Sequence, residues 1–107
     1  MDYLDRWLEH VQTQVSPRTH ERYCELARGN IVPLLGATAL TKLQPVAISS
    51  AWAKALTEGN RRRAGGLAPR TVNHMHRVLR QALEQAVRWQ LLLRNPANLV
   101  EPPRVER

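Results

Sequence analysis

Apolar residues recur at helical spacing along the whole chain, and no segment alternates convincingly with period two. That pattern leaves packed helices as the architecture. The first helix is expected from about Asp2 to Gln14, with Leu4, Trp7, Leu8 and Val11 on one face. Ser16 then offers a cap, and Pro17 suits a first helical position where an N–H is not needed. The second helix turns Thr19, Tyr23, Leu26 and Ala27 inward and runs toward Gly29. In the following NIVPLLGATAL, Pro33 and Gly36 punctuate what reads as a short apolar connector. A third helix is expected to start near Pro45, to present Val46, Ile48, Ala51, Trp52 and Leu56, and to stop at Gly59. After the loop GNRRRAGGLA, the longest helix starts at Pro69 and ends between Trp89 and Leu93. Asn95-Pro96 can open a final short turn, and Pro102-Pro103 ends regular structure. The expected fold class is therefore all-α: a compact bundle of four main helices plus a short C-terminal turn. At 107 residues it is one domain, long enough to bury roughly two thirds of its unfolded surface.

The fourth helix poses the functional question. On a wheel of 100° per residue, Val72, His76, Leu79, Leu83, Ala86 and Val87 form the core stripe. Arg70, Asn73, Arg77, Arg80, Glu84 and Arg88 fall opposite. Solvated helix faces usually mix signs, yet this one carries no acid before Glu84. The whole chain leans the same way, with 16 Lys+Arg against 9 Asp+Glu and a net charge of +7. Fourteen of those bases are arginine, whose planar fork matches phosphate oxygens and guanine edges. Such a balance favours nucleic acid, then an anionic membrane, as partner. The bland alternative, a solvated face that happens to be basic, stays open on charge alone.

Other features carry less. Arg61, Arg62 and Arg63, flanked by glycines, could wrap a phosphate backbone or be a solvated charge run. Arg18 and Arg22 lie one turn apart behind Ser16, where free helix amides attract phosphate, but Glu21 and Glu25 offer them ordinary pairing. His74 and His76 splay about 200° apart on a helix, which does not make a metal site. His76 reads as a half-buried packing residue, whereas His74 reaches the solvent or DNA side. No phosphate-binding glycine loop, zinc-protease motif or nucleophile elbow is present, and Tyr3 and Tyr23 sit at core-compatible positions. No catalytic set, metal or cofactor is expected. Cys24 is the sole cysteine, and the acidic amphipathic N-terminus is unlike a secretion signal. The longest aliphatic run, Leu91 to Leu93, is too short to cross a bilayer, so the expected setting is cytoplasmic, away from membrane.

The run SPRTHERYCELARGNIVPLLGATALTKLQPVAI resembles the N-terminal core-binding, SAM-like domain of tyrosine recombinases, the phage-integrase family. The resemblance rests on Thr19, Tyr23, Ile31, Pro33, Leu35, Gly36, Leu40 and Leu43, then on LAPRTV at Leu67 to Val72, and on Ala86, Trp89, Asn95 and Pro96. It spans about Tyr3 to Pro96, and the order and spacing of the motifs carry it rather than any one of them. Two positions depart from the family: Ala68 stands where a capping serine is usual, and Gln90 where glycine commonly follows the aromatic. The resemblance implies that residues 1–100 are a DNA-binding domain and that 101–107 begin a linker to a catalytic domain. It implies a monomeric module, bacterial or phage-encoded, that lays its second and fourth helices into double-stranded DNA. Arg18, Arg22, Arg61, Arg62, Arg63, Arg70, Asn73, His74, Arg77 and Arg80 are then the expected DNA-facing set. A helical protein-interaction domain with an incidental basic surface is the competing expectation.

Overall fold

A computed structural model describes residues 2–58 and 65–104. The expected stop at Gly59 and the Arg61-Arg62-Arg63 run lie outside the described residues. The described part contains four main helices, α1 (Tyr3–Val11), α2 (Pro17–Leu26), α4 (Pro45–Glu58) and α5 (Pro69–Arg88), with a one-turn α3 (Val32–Leu35) between them. Two short 3₁₀ turns, Leu40–Lys42 and Pro96–Leu99, complete it, and no strand occurs among the described residues. The all-α bundle is as the periodicity indicated.

Local chemistry accounts for most boundaries. The α1 helix stops at Val11, earlier than expected, because residues 12–14 tighten into a turn in which Gln14 N–H reaches the Val11 carbonyl at 2.9 Å. Ser16 then caps α2, its hydroxyl accepting from Thr19 N–H at 3.2 Å, with Pro17 in the first turn. The connector is not a connector. Beyond Leu26 the helix widens into a π-turn over Ala27–Ile31, in which Val32 N–H reaches back to the Ala27 carbonyl, and continues into α3. Pro33 supplies the reason: it has no N–H to donate one turn back, so the ladder shifts register just ahead of it instead of breaking. Gly66 allows the α4–α5 loop to close, since a Cβ there would collide with the Leu56 carbonyl. Beside it Leu67 N–H donates to the Ala55 carbonyl at 2.8 Å.

The α5 helix is the central element. Its expected inward residues Val72, His76, Leu79, Leu83 and Ala86 are buried, while Val87 is only partly so. Met75, Val78 and Ala82 are buried as well, because α1, α2, α4, the π-turn and the last 3₁₀ turn all pack on this helix. Only a narrow strip of it remains at the surface. Trp7 and Leu8 of α1, Ile31 of the π-turn and Ile48 of α4 fill the opposite side of the core. Val46, expected inward, is 71% exposed, because the inward face of α4 is set by Ile48, Ala51, Trp52 and Ala55.

The two family departures both mark ends of α5. Ala68 caps it without a side-chain hydrogen bond. At the other end Gln90 takes a positive φ of 62°. There Leu91 N–H reaches the Ala86 carbonyl at 2.9 Å and Gln90 N–H the Val87 carbonyl at 3.0 Å. That pair of bonds is a Schellman stop with glutamine in the position that favours glycine.

The chain then doubles back along α5. Asn95 is buried and caps the last 3₁₀ turn, its side-chain oxygen accepting from Ala97 N–H at 2.9 Å. Its amide donates to the Arg80 carbonyl at 2.9 Å and to a Glu84 carboxylate oxygen at 3.2 Å. Val100 is buried, and further on the Asn73 amide donates to the Pro103 carbonyl at 3.1 Å. The returning segment therefore runs antiparallel to α5, from Glu84 back to Asn73.

Candidate nucleic-acid interface

The strip of α5 left between α2 on one side and the returning segment on the other carries Arg70, His74, Arg77, Gln81 and Arg88, all exposed. At 100° per residue these side chains fall within about 60° of arc, and Arg70 to Arg88 spans about 27 Å of helix. No ion pair involves Arg70, Arg77 or Arg88 among the described residues, where the salt bridges are Arg22–Glu25 and Arg28–Asp5. Glu84, the one acid on this side, has a carboxylate oxygen on the Asn95 amide. Along nearly the whole helix the strip thus presents arginines without an ion-pair partner among the described residues.

Asn73 and Arg80 differ from the other expected members. They lie about 60–80° round from the Arg70/Arg88 line, on the side of the returning segment. Arg80 Nε donates to Asn98 Oδ1 at 2.8 Å, and Asn73 is partly buried under Pro103. Each is held by the tail and keeps other hydrogens to donate. His74 is exposed, as expected. His76 is more deeply buried than expected, at 5% exposure, with its Nδ1 accepting the Trp52 indole N–H at 3.1 Å. Burial, and after it the charge of Arg80, holds its pKa below the usual histidine range.

Arg18 and Arg22 are exposed on α2. Arg22 makes the ordinary one-turn pair, Nη1 to Glu25 at 3.2 Å. No hydrogen bond or ion pair joins either arginine to α5 among the described residues; their helix meets the strip through Tyr23, whose hydroxyl donates to Gln81 Oε1 at 3.3 Å while its ring stacks on Trp7 at 5.6 Å. Gln81 was missed in reading the sequence, because the face was sorted by charge. Its position one turn beyond Arg77 was the available signal.

Tyr3 is buried, with its hydroxyl donating to the Ala82 carbonyl at 2.6 Å, and burial pushes its pKa up to about 12. The described residues contain no group of His, Cys, Asp and Glu that could hold a metal ion. None of their helices is long and apolar enough to cross a membrane. Away from the strip, a groove of about 590 Å³ is lined by Leu43, Pro45, Leu91, Leu99 and the fully exposed Leu93.

The family described as phage integrase, N-terminal SAM-like domain, matches residues 1–56. The chain is 27% identical over 110 residues to an integrase of Saccharopolyspora erythraea, covering 96% of this chain and 24% of that protein. It is also 27% identical over 106 residues to an integrase of Mycobacterium phage L5, covering 99% and 26% respectively. It thus spans about a quarter of the length of these two relatives. Among solved structures, the solution structure of a phage integrase SAM-like domain from Moorella thermoacetica superposes with a TM-score of 0.76 at 35% identity, over 97% of this chain and 84% of that one.

Proposed function

Because the chain belongs to the phage integrase N-terminal SAM-like domain family, we propose that it is a duplex-DNA-binding module that seats the exposed strip of α5 in a groove. The observation that carries this reading is the unpaired row Arg70, Arg77 and Arg88 with His74 and Gln81 set between them. A B-DNA major groove is about 12 Å wide and admits a helix, and arginine and glutamine forks match base edges as well as phosphates. Arg18 and Arg22, on the helix alongside, serve the phosphate backbone, and Arg61 to Arg63, outside the described residues, add to the chain's positive charge. Residues 1–100 act as the gripping domain and 101–107 lead toward a catalytic domain of the parent polypeptide. In this reading phosphoryl transfer belongs to that other domain. The hydroxyls of Tyr3 and Tyr23 donate to the Ala82 carbonyl and to Gln81 Oε1, and among the described residues neither is hydrogen-bonded to a general base or an arginine that would activate a nucleophile.

Fluorescence anisotropy with a labelled duplex tests the proposal. Binding is expected with a Kd of about 10⁻⁴–10⁻⁶ M at physiological salt and tighter at low salt, since a charge-dominated contact by one module is weak and strongly salt-dependent. Arg77→Ala is expected to flatten the salt slope by about 1 if it touches phosphate. Absence of binding at low salt, or binding indifferent to salt, rules the proposal out in favour of a protein-interaction module, for which the groove at Leu93 is the natural surface.

A further inference from the structure

We infer that the cleft between the first half of α5 and the returning C-terminal segment is a phosphate-binding site, in which Arg77, Arg80 and the imidazole N–H of His76 receive a single phosphate or phosphodiester group. The inference rests on the DNA-binding reading only for the source of that group, a backbone phosphate.

The cleft has a volume of about 310 Å³. Its α5 wall consists of Asn73, His76, Arg77 and Arg80, and its other wall of Ala97, Asn98, Val100 and Pro102. Among the described residues no acidic side chain lines it. Donors converge on it with capacity to spare. Arg80 gives its Nε hydrogen to Asn98, and among the described residues both terminal nitrogens of the guanidinium are left without a hydrogen-bond partner. Asn73 gives one amide hydrogen to Pro103 and retains the other. Arg77 has no ion pair among the described residues.

His76 points to a ligand independently of these charges. Trp52 donates to its Nδ1, so the neutral ring must carry its proton on Nε2. Among the described residues that Nε2 has no hydrogen-bond partner, and no fully enclosed side-chain nitrogen or oxygen lacks one. His76 is 5% exposed and lines the cleft, so its small accessible part includes an N–H donor without an acceptor among the described residues. Ala97, Val100 and Pro102 form a largely apolar wall, which strengthens any charge pairing made there. A singly charged phosphodiester set against two guanidiniums satisfies the cleft's surplus of donors, and neither a cation nor an apolar ligand does. Such an anion also favours the protonated form of His76, opposing the influence of Arg80.

The test is NMR of the ¹⁵N-labelled chain titrated with inorganic phosphate at constant ionic strength against chloride, and separately with duplex DNA. Phosphate is expected to shift the His76 ring nitrogens and the Arg80 Nε–H saturably and to raise the His76 titration midpoint. Arg77→Gln and Arg80→Gln should each abolish that response, whereas Arg6→Gln on α1 should keep it. Duplex DNA should move the same resonances. If duplex binds with a steep salt slope while neither titrant moves His76, the site is overturned and the DNA reading stands. If phosphate moves His76 saturably but duplex does not bind, the site stands for a free phosphate and the DNA reading falls. Silence toward both overturns both.

Discussion

Gln90→Gly is expected to stabilise the domain. Gln90 is exposed, makes no side-chain hydrogen bond among the described residues, and holds φ at 62° to complete the stop at the end of α5. A left-handed backbone costs a residue with a Cβ about 1–2 kcal/mol, and glycine is spared that cost. Glycine in turn loses about 0.5–1 kcal/mol more chain entropy on folding. The difference leaves roughly 0.5–1 kcal/mol in favour of the variant. In a domain of this size 1 kcal/mol moves Tm by about 4–8 °C, so an upward shift of about 2–8 °C is expected. Thermal and urea unfolding followed by far-UV circular dichroism, with Gln90→Ala as the control that keeps the Cβ, give the measurement. The alanine variant should stay within about 0.5 kcal/mol of the parent, as exposed positions do. A glycine variant less stable than the parent would refute the reasoning, because the amide would then have to be holding something the backbone bonds do not show.

Four further outcomes follow from the structure. Leu79→Ala and Leu83→Ala should each cost about 2–5 kcal/mol in urea unfolding, since both side chains are fully buried. Arg77→Ala should change stability by less than about 0.5 kcal/mol, with its effect falling instead on duplex affinity, about 1–3 kcal/mol if its fork reads a base. Tyr3→Phe should cost about 0.5–1.5 kcal/mol through loss of the hydrogen bond to the Ala82 carbonyl. Because the folded state depresses the His76 pKa, the unfolded chain takes up that proton first as pH falls. The stability held in neutral His76 is therefore complete above about pH 6.5 and is lost as pH drops from there through the folded-state pKa. Urea midpoints measured from pH 8 to pH 5 should fall over that window, and a flat profile would contradict the buried neutral ring.

Single-helix features were legible in the sequence and multi-helix ones were not. Ser16 and Pro17 announced α2, and the Val72–Ala86 spacing announced the inward side of α5, because capping and periodicity are local. The extra buried positions Met75, Val78 and Ala82 depend on how many neighbours crowd one helix, which a wheel does not report. The same limit applied to the candidate site. Arg70, His74 and Arg77 could be placed on the exposed side from phase alone. The hold of Asn98 on Arg80 and of Pro103 on Asn73 links residues far apart in the chain and leaves no periodic trace. Pro33 and Gly36 read as punctuation in an apolar connector, but a helix can also answer a proline's missing N–H by widening.

The widened turn also works as a phase corrector. Ala27, Ile31 and Leu35 are all buried, at successive steps of four residues. In an uninterrupted α-helix each such step overshoots a full circle by about 40°, so the last of the three would swing about 80° from the first. A π-turn holds more residues, so a step of four across it falls short of the circle and offsets the overshoot of the next. The three side chains therefore stay nearly in line. Removing one residue from Ala27–Ile31 would act less as a shortening than as a rotation of about 100° between the two ends of this rod. With Leu35 kept in the core, Tyr23 would be turned away from Gln81, and the rim that α2 gives to the basic strip would be lost.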